Sequence, residues 1–272
     1  MPVLDLFSER AINIFLGNED HSRPNSCHYL SAGDAFHSIL NYSNLPEKKA
    51  DMVRIIIISD THERHTKLQN FPKGDILIHC GDILMTSRLS SVMSGLKKLF
   101  WFNEWIKSVP CKHKIVIGGN HDGVMEKIGK VAVQSVLSNA KYLENDLLEC
   151  EGLKIWGTPY SAGKSSNKAF QSEDFKMSTM QKAPLFEVDI LLTHGHCPEL
   201  EEKVPHTVHL WGHAHSSYGV RRPPMILNGR AVRSLSICAP IMDKHFRPAH
   251  LPFVLDMPTK RKILGNSDNA SQ

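Results

Sequence analysis

The segment MVRIIIISDTH, residues 52–62, is where the chain begins to read as a folded domain. Ile55 to Ile58 are apolar at four successive positions, a pattern that suits a strand covered on both faces. Polar residues follow it at once: Ser59, Asp60, Thr61 and His62. Seven later runs have the same strand-like character, namely DILIHC, KIVIGG, LKIWG, DILLTH, TVHLWG, SLSICA and FVLDM. Between the second and third of these eight runs, Leu89, Val92, Met93, Leu96, Leu99, Phe100 and Ile106 recur at helical spacing, and Val124, Ile128, Val131 and Leu137 do so after the third. Buried strands alternating with amphipathic helices predict a layered α/β domain over residues 51–258. The last runs lack intervening helices and predict a mixed or antiparallel portion.

The flanks read differently. Residues 1–50 carry weak periodicity, the turn-forming clusters GNEDHSRPNS and NYSNLPEKK, and no chemical motif, so they are expected to form an amino-terminal extension. Residues 259–272 read as a polar tail. MPVLDLFSERAINIFLG is interrupted by Asp5, Glu9 and Arg10, and no later run approaches the length of a membrane span. Cys27, Cys80, Cys111, Cys150, Cys197 and Cys238 are dispersed without CxxC spacing, which argues against a structural zinc site and a disulfide framework. Together these features place the chain in the cytoplasm or nucleus. The net charge of +4 is spread along the sequence and gives no signal for nucleic acid or membrane.

Sixteen histidines are the oddity of the composition. Those such as His21, His37, His113 and His250 are expected to be surface or satisfied core residues. Others sit just past strands: Asp60 and His62 after the first run, Asp82 after the second, Asn120, His121 and Asp122 after the third, His194 and His196 after DILLTH, and His213 and His215 after TVHLWG. Carboxyl ends of strands in an α/β sheet converge on one rim, so the fold can gather residues distant in sequence. Carboxylate, amide and imidazole donors without thiolate suit borderline or hard divalent ions. Each piece alone is ordinary, since Asp at a strand end is often a turn or cap. The ordered set on five strand ends is what points to a metal centre. Gly81, Gly119, Gly195 and Gly212 beside these positions are expected to let the backbone turn and approach an ion.

This order of residues resembles the calcineurin-like metallophosphoesterase superfamily, whose D-x-H, G-D, G-N-H-[DE], H and G-H-x-H elements are all matched. Within it, GDILIHCGD, IWGTPY, HLWGHAHSSYG and RPAHLPFVLDMP resemble the metallophosphoesterase-domain-containing proteins allied to class III cyclic-nucleotide phosphodiesterases. The resemblance implies a four-layer α/β/β/α sandwich of two mixed sheets flanked by helices. It also implies two divalent metals (Mn, Fe, Zn or Mg, with Mn favoured), one held by Asp60, His62 and His215, the other by Asn120, His194 and His213, with Asp82 bridging. Such a pair can activate a shared water for attack on a phosphate ester, most readily a phosphodiester, cyclic nucleotides included. His121 is then left as the acid, with Asp122 to orient it or hold its proton. THGHCPE (193–199) and the loop ILMTSRLSS (83–91) depart from the family's usual pattern; His196 reads equally as a substrate contact or a solvent-facing residue. The alternatives are a phosphomonoesterase or protein phosphatase, disfavoured because no Asp-Arg-Gly element follows Asp82, and a scaffold without catalysis, disfavoured because no ligand is eroded. The partner expected is a small phosphate ester.

Overall fold

The computed structural model describes residues 14–15, 25–31, 37–39, 41–68, 70–163, 165–227 and 230–259. In chain order the elements are β1 (Ile14–Phe15), β2 (Cys27–Ser31), β3 (His37–Ile39), β4 (Met52–Ile58), β5 (Gly74–His79), α1 (Val92–Lys107), β6 (Cys111–Val116), α2 (Gly123–Ile128), α3 (Lys130–Val136), β7 (Lys141–Tyr142), β8 (Asp146–Cys150) and β9 (Leu153–Thr158). They continue with α4 (Glu173–Lys182), β10 (Val188–Thr193), α5 (Pro198–Lys203), β11 (His206–Trp211), β12 (Gly219–Arg221), β13 (Pro224–Leu227), β14 (Arg230–Arg233), β15 (Leu235–Cys238) and β16 (Phe253–Pro258). All eight apolar runs of the sequence are strands.

The strands form two seven-stranded sheets and a hairpin of β13 with β14. The first sheet has the order β3-β2-β16-β4-β5-β6-β7, the second β1-β12-β15-β11-β10-β9-β8. Side-chain alternation along β4 explains the layering. Val53, Ile55 and Ile57 face the second sheet, packing with Ile190, Leu192, Val208 and Leu210. Ile56 and Ile58 face outward, against Leu99, Phe102, Ile106, Met125 and Val133 of α1–α3. On the far side α4 and α5 pack on Trp156, Val188 and Leu191 of the second sheet. Three apolar interfaces thus hold four layers, the architecture that the resemblance implied. Ile55 to Ile58 are each wholly buried, worth about 1.5–3 kcal/mol apiece.

Three expectations change. β1, β2 and β3 fall within the stretch read as an extension, yet they are strands of the two sheets: Cys27 and Tyr29 join the outer core and Leu30 the inner one. The remainder of that stretch, His21 included, lies outside the described residues, as does the tail after Thr259. The buried face of α1 is Gly95, Leu99, Phe102, Asn103 and Ile106, whereas Leu89, Met93 and Phe100 are exposed. The helix carries apolar residues on more than one face, and spacing alone does not select which is covered. The following helical stretch breaks into α2 and α3 at Gly129, whose φ of 81° lies outside the helical region, and Val131 is exposed.

β4, β5 and β6 run parallel in the first sheet, and β9, β10 and β11 run parallel in the second. Their carboxyl ends open on the same edge of the sandwich, where the polar clusters meet.

Candidate metal centre

Asp60 leaves β4, Asp82 leaves β5, Asn120 leaves β6, His194 leaves β10, and His213 and His215 leave β11. Among the described residues, two groups place one donor atom each within 4.8 Å of one another: Asp60, His62 and His215, and Asp82, His194 and His213. Asn120 joins the second group, its Oδ1 2.9 Å from His194 Nε2 and 2.7 Å from His213 Nδ1. Asp82 turns one oxygen to each side, Oδ1 to His194 Nε2 at 3.3 Å and Oδ2 to His62 Nε2 at 3.7 Å. All seven residues expected as ligands are therefore brought together.

The hydrogen-bond partners of these side chains suit cations between them. The Cys80 carbonyl, 2.9 Å from His194 Nδ1, and the Asp243 carbonyl, 2.7 Å from His215 Nδ1, can only accept. Each ring is so fixed with Nδ1–H outward and Nε2 inward, as backbone carbonyls fix metal-bound imidazoles. Asn120 Nδ2 donates to the Asn167 carbonyl at 3.2 Å, which fixes Oδ1 as the atom facing His194 and His213. Acceptors then face acceptors: His215 Nε2 lies 3.3 Å from Asp60 Oδ1, and His194 Nε2 lies 2.9 Å from Asn120 Oδ1. Positive charge must sit between them. Although burial works against it, Asp82 and Asp60 push His194 up to about 9. Burial likewise opposes charge on Asp60, yet His215, His194 and His62 hold its carboxyl well below the usual range. Divalent cations supply the charge that protons would otherwise bring, so the residues fit a metal pair.

The glycines act mostly by allowing close approach. A Cβ on Gly212 would collide with Ser59 Oγ and Asp60 Oδ2, and one on Gly119 with Asp82 Oδ1. The left-handed turns fall chiefly on the ligands themselves, at Asp60, His62, Asp82 and His213; of the four glycines singled out, Gly81 alone has a positive φ.

His121 lies at the pocket and outside both groups. Its N–H donates to Asp82 Oδ1 at 2.7 Å, and its carbonyl accepts from Thr86 N at 2.8 Å. Asp122, expected to orient the ring, is occupied elsewhere. Its wholly buried carboxylate accepts from Gly119 N, Ile83 N and Leu84 N at 2.8, 3.2 and 2.7 Å, so it braces the two ligand loops. The side chain facing His121 is Asn167, with Nδ2 3.0 Å from Nδ1. His196 is exposed, Nε2 3.1 Å from Glu201 Oε2; Glu201 also meets His209, whose Nε2 is 2.7 Å from Thr193 Oγ1. His196 thus belongs to a network behind the strand end. His250 stacks on Tyr218 and meets the Pro240 carbonyl at 2.9 Å, and His113 meets Glu151 at 2.8 Å; neither approaches the centre.

A cavity of about 350 Å³ opens over the ligands, with Ser165, Lys244 and Phe246 among its walls. Sequence reading passed over these residues, and Asn167 with them. Phe246 packs edge-on against His62 and His215 at centroid distances of 4.8 and 5.4 Å. Asp243 pins its loop through Arg247 at 2.7 Å. A larger cleft of about 1010 Å³, lined by Lys112, Lys114, Lys141 and Lys154, lies away from the ligands.

Residues 53–217 match the family model described as calcineurin-like phosphoesterase. A UPF0046 protein of Caenorhabditis elegans is 32% identical over 244 residues, covering 76% of this chain and 81% of that protein. Metallophosphoesterase domain-containing protein 1 of Homo sapiens is 29% identical over 262 residues, covering 79% of this chain and 74% of that protein. A solved archaeal phosphodiesterase is similar at a TM-score of 0.34 and 16% identity, over 74% of this chain and 99% of that one.

Proposed function

This chain belongs to the calcineurin-like phosphoesterase family, and from that premise we propose that it is a two-metal phosphodiesterase whose substrates include cyclic nucleotides. The observation that carries the reading is Asp82, wholly buried between the two groups of donors with one oxygen toward each. Asp60, His62 and His215 would hold one divalent cation and Asn120, His194 and His213 the other, with Asp82 shared. Bound there, the pair would activate water and neutralise charge on the phosphoryl group. Oxygen and imidazole donors suit manganese well. The chain's own residues set the rest. His121 presents its ring to the pocket, Asp122 holds the loops of Asp82 and Asn120 together, and the 350 Å³ cavity is at the small end of ligand sites, which suits a small phosphate ester. Six free cysteines, all buried, suit a reducing compartment such as the cytoplasm.

The test is hydrolysis of 3′,5′- and 2′,3′-cyclic nucleotides, bis-(p-nitrophenyl) phosphate and p-nitrophenyl phosphate by protein loaded with Mn²⁺. Cleavage of diesters ahead of the monoester is expected. Cleavage of the monoester alone would make the protein a phosphomonoesterase, and cleavage of none would leave a scaffold.

A further inference from the structure

We propose that Asn167 is the positioning residue of this centre: its side-chain amide donates to His121 Nδ1, so that the ring carries its proton on Nε2, toward the pocket. This rests on the phosphoesterase reading for its consequence, though not for its geometry. Asn167 stands 46 residues from His121 in sequence, with Nδ2 3.0 Å from Nδ1. Its backbone is held independently of that contact. The Asn167 N–H donates to Ser165 Oγ at 3.2 Å, and its carbonyl accepts from Asn120 Nδ2 at 3.2 Å. Ser165 Oγ accepts a second bond from Asn120 Nδ2 at 3.0 Å, and Ala169 N donates to the Asn120 carbonyl at 3.3 Å. The segment is thus clasped to the metal-facing loop before the side chain is considered.

His121 is equally constrained. With its N–H on Asp82 and its carbonyl on Thr86, only rotation of the ring remains free, and Asn167 fixes that. An amide N–H cannot share Nδ1 with a proton already there, so Nδ1 is an acceptor and the single ring proton sits on Nε2. Nε2–H is then the ring's donor available to a phosphoryl oxygen in the cavity that His121 lines. In that tautomer His121 would stabilise developing charge as an oxyanion-hole donor does. One residue serves two neighbours: the main-chain carbonyl of Asn167 turns Asn120 Oδ1 toward His194 and His213, where a metal would be held, and its side chain orients His121.

The experiment compares wild type, Asn167→Ala and Asn167→Asp, each loaded with diamagnetic Zn²⁺, by ¹⁵N spectra of the histidine rings, with His121 assigned by its loss in His121→Ala. Wild type is expected to show His121 protonated on Nε2 alone. The carboxylate of Asn167→Asp can only accept, so that variant should move a proton to Nδ1, and Asn167→Ala should lose the preference. Metal content should be unchanged, because the carbonyl that holds Asn120 belongs to the backbone. With Mn²⁺ and bis-(p-nitrophenyl) phosphate, kcat should fall by about 10²-fold in Asn167→Ala, with a smaller change in KM. A wild-type proton on Nδ1, identical spectra for wild type and Asn167→Asp, or loss of metal from Asn167→Ala would each overturn the proposal. If no phosphate ester is cleaved but the spectra behave as expected, the functional reading fails and the positioning role stands.

Discussion

Asp60, His62, Asp82 and His213 have φ values of 55°, 45°, 53° and 65°, a region that costs a non-glycine residue on the order of 1–3 kcal/mol. Local preference did not choose these conformations. They persist because backbone bonds to other strand ends hold them: Asp60 N donates to the Gly81 carbonyl at 2.9 Å, His62 N to the Asp82 carbonyl at 3.0 Å, and His213 N to Asp60 Oδ2 at 2.9 Å. The candidate ligands were legible in the sequence as Asp-x-His, Gly-Asp and His-x-His spacings, but their strained backbone was not, since the restraining bonds come from other strands. Asp82→Asn is expected to impair binding at both half-sites, because the shared carboxylate loses its charge. His121→Ala should keep its metal and slow turnover by about 10²–10³-fold, the loss of one donor to a developing oxyanion. Metal analysis of the two variants checks the division; a metal-free His121→Ala protein would contradict it.

At the scale of elements, the carboxyl-terminal strand completes the first sheet. β16 lies between β2, to which it is parallel, and β4, to which it is antiparallel. The junction is fixed by a buried ion pair: Arg54 donates to Asp256 Oδ1 at 2.8 Å and to Oδ2 at 2.7 Å, and Tyr29 OH donates to Oδ2 at 3.0 Å. Three strands meet on that carboxylate. Asp256→Ala would strand the Arg54 charge at a site 8% exposed and should cost about 3–5 kcal/mol, read as a lower urea midpoint; a loss no larger than the roughly 1 kcal/mol of a surface pair would show that the junction is solvated. FVLDM was readable as a strand from its apolar run, and a mixed portion near the carboxyl end was anticipated. Its neighbours were not readable, because a strand's pattern records that it is covered and not by what. For the same reason β2 and β3 escaped notice in a stretch rich in turn formers.

For the molecule as a whole, burial sets a pH dependence apart from the metal centre. Burial pushes His28, His65 and His206 down to about 4 each, against about 6.5 in an unfolded chain. Between those values the unfolded chain binds protons that the folded chain refuses, so stability falls as pH is lowered from about 6.5 toward 4. Each histidine adds about 1.4 kcal/mol per pH unit, or about 4 for the three together. Urea midpoints at stepwise lower pH should decline through this window, and a midpoint constant between pH 7 and 5 would refute the assignment.

What the sequence by itself determined is eight of the strands and the candidate ligands at their ends, because apolar runs, ligand chemistry and one- or two-residue spacings are local properties of a chain. The seven residues at Asp60, His62, Asp82, Asn120, His194, His213 and His215 needed no structure to be singled out. Only the tertiary structure decided that Asp122 braces loops while Asn167 faces His121, that His196 points away, and that Lys244 and Phe246 wall the pocket. These are contacts between segments tens of residues apart on two sheets, and their geometry is fixed by how the sheets pack face to face.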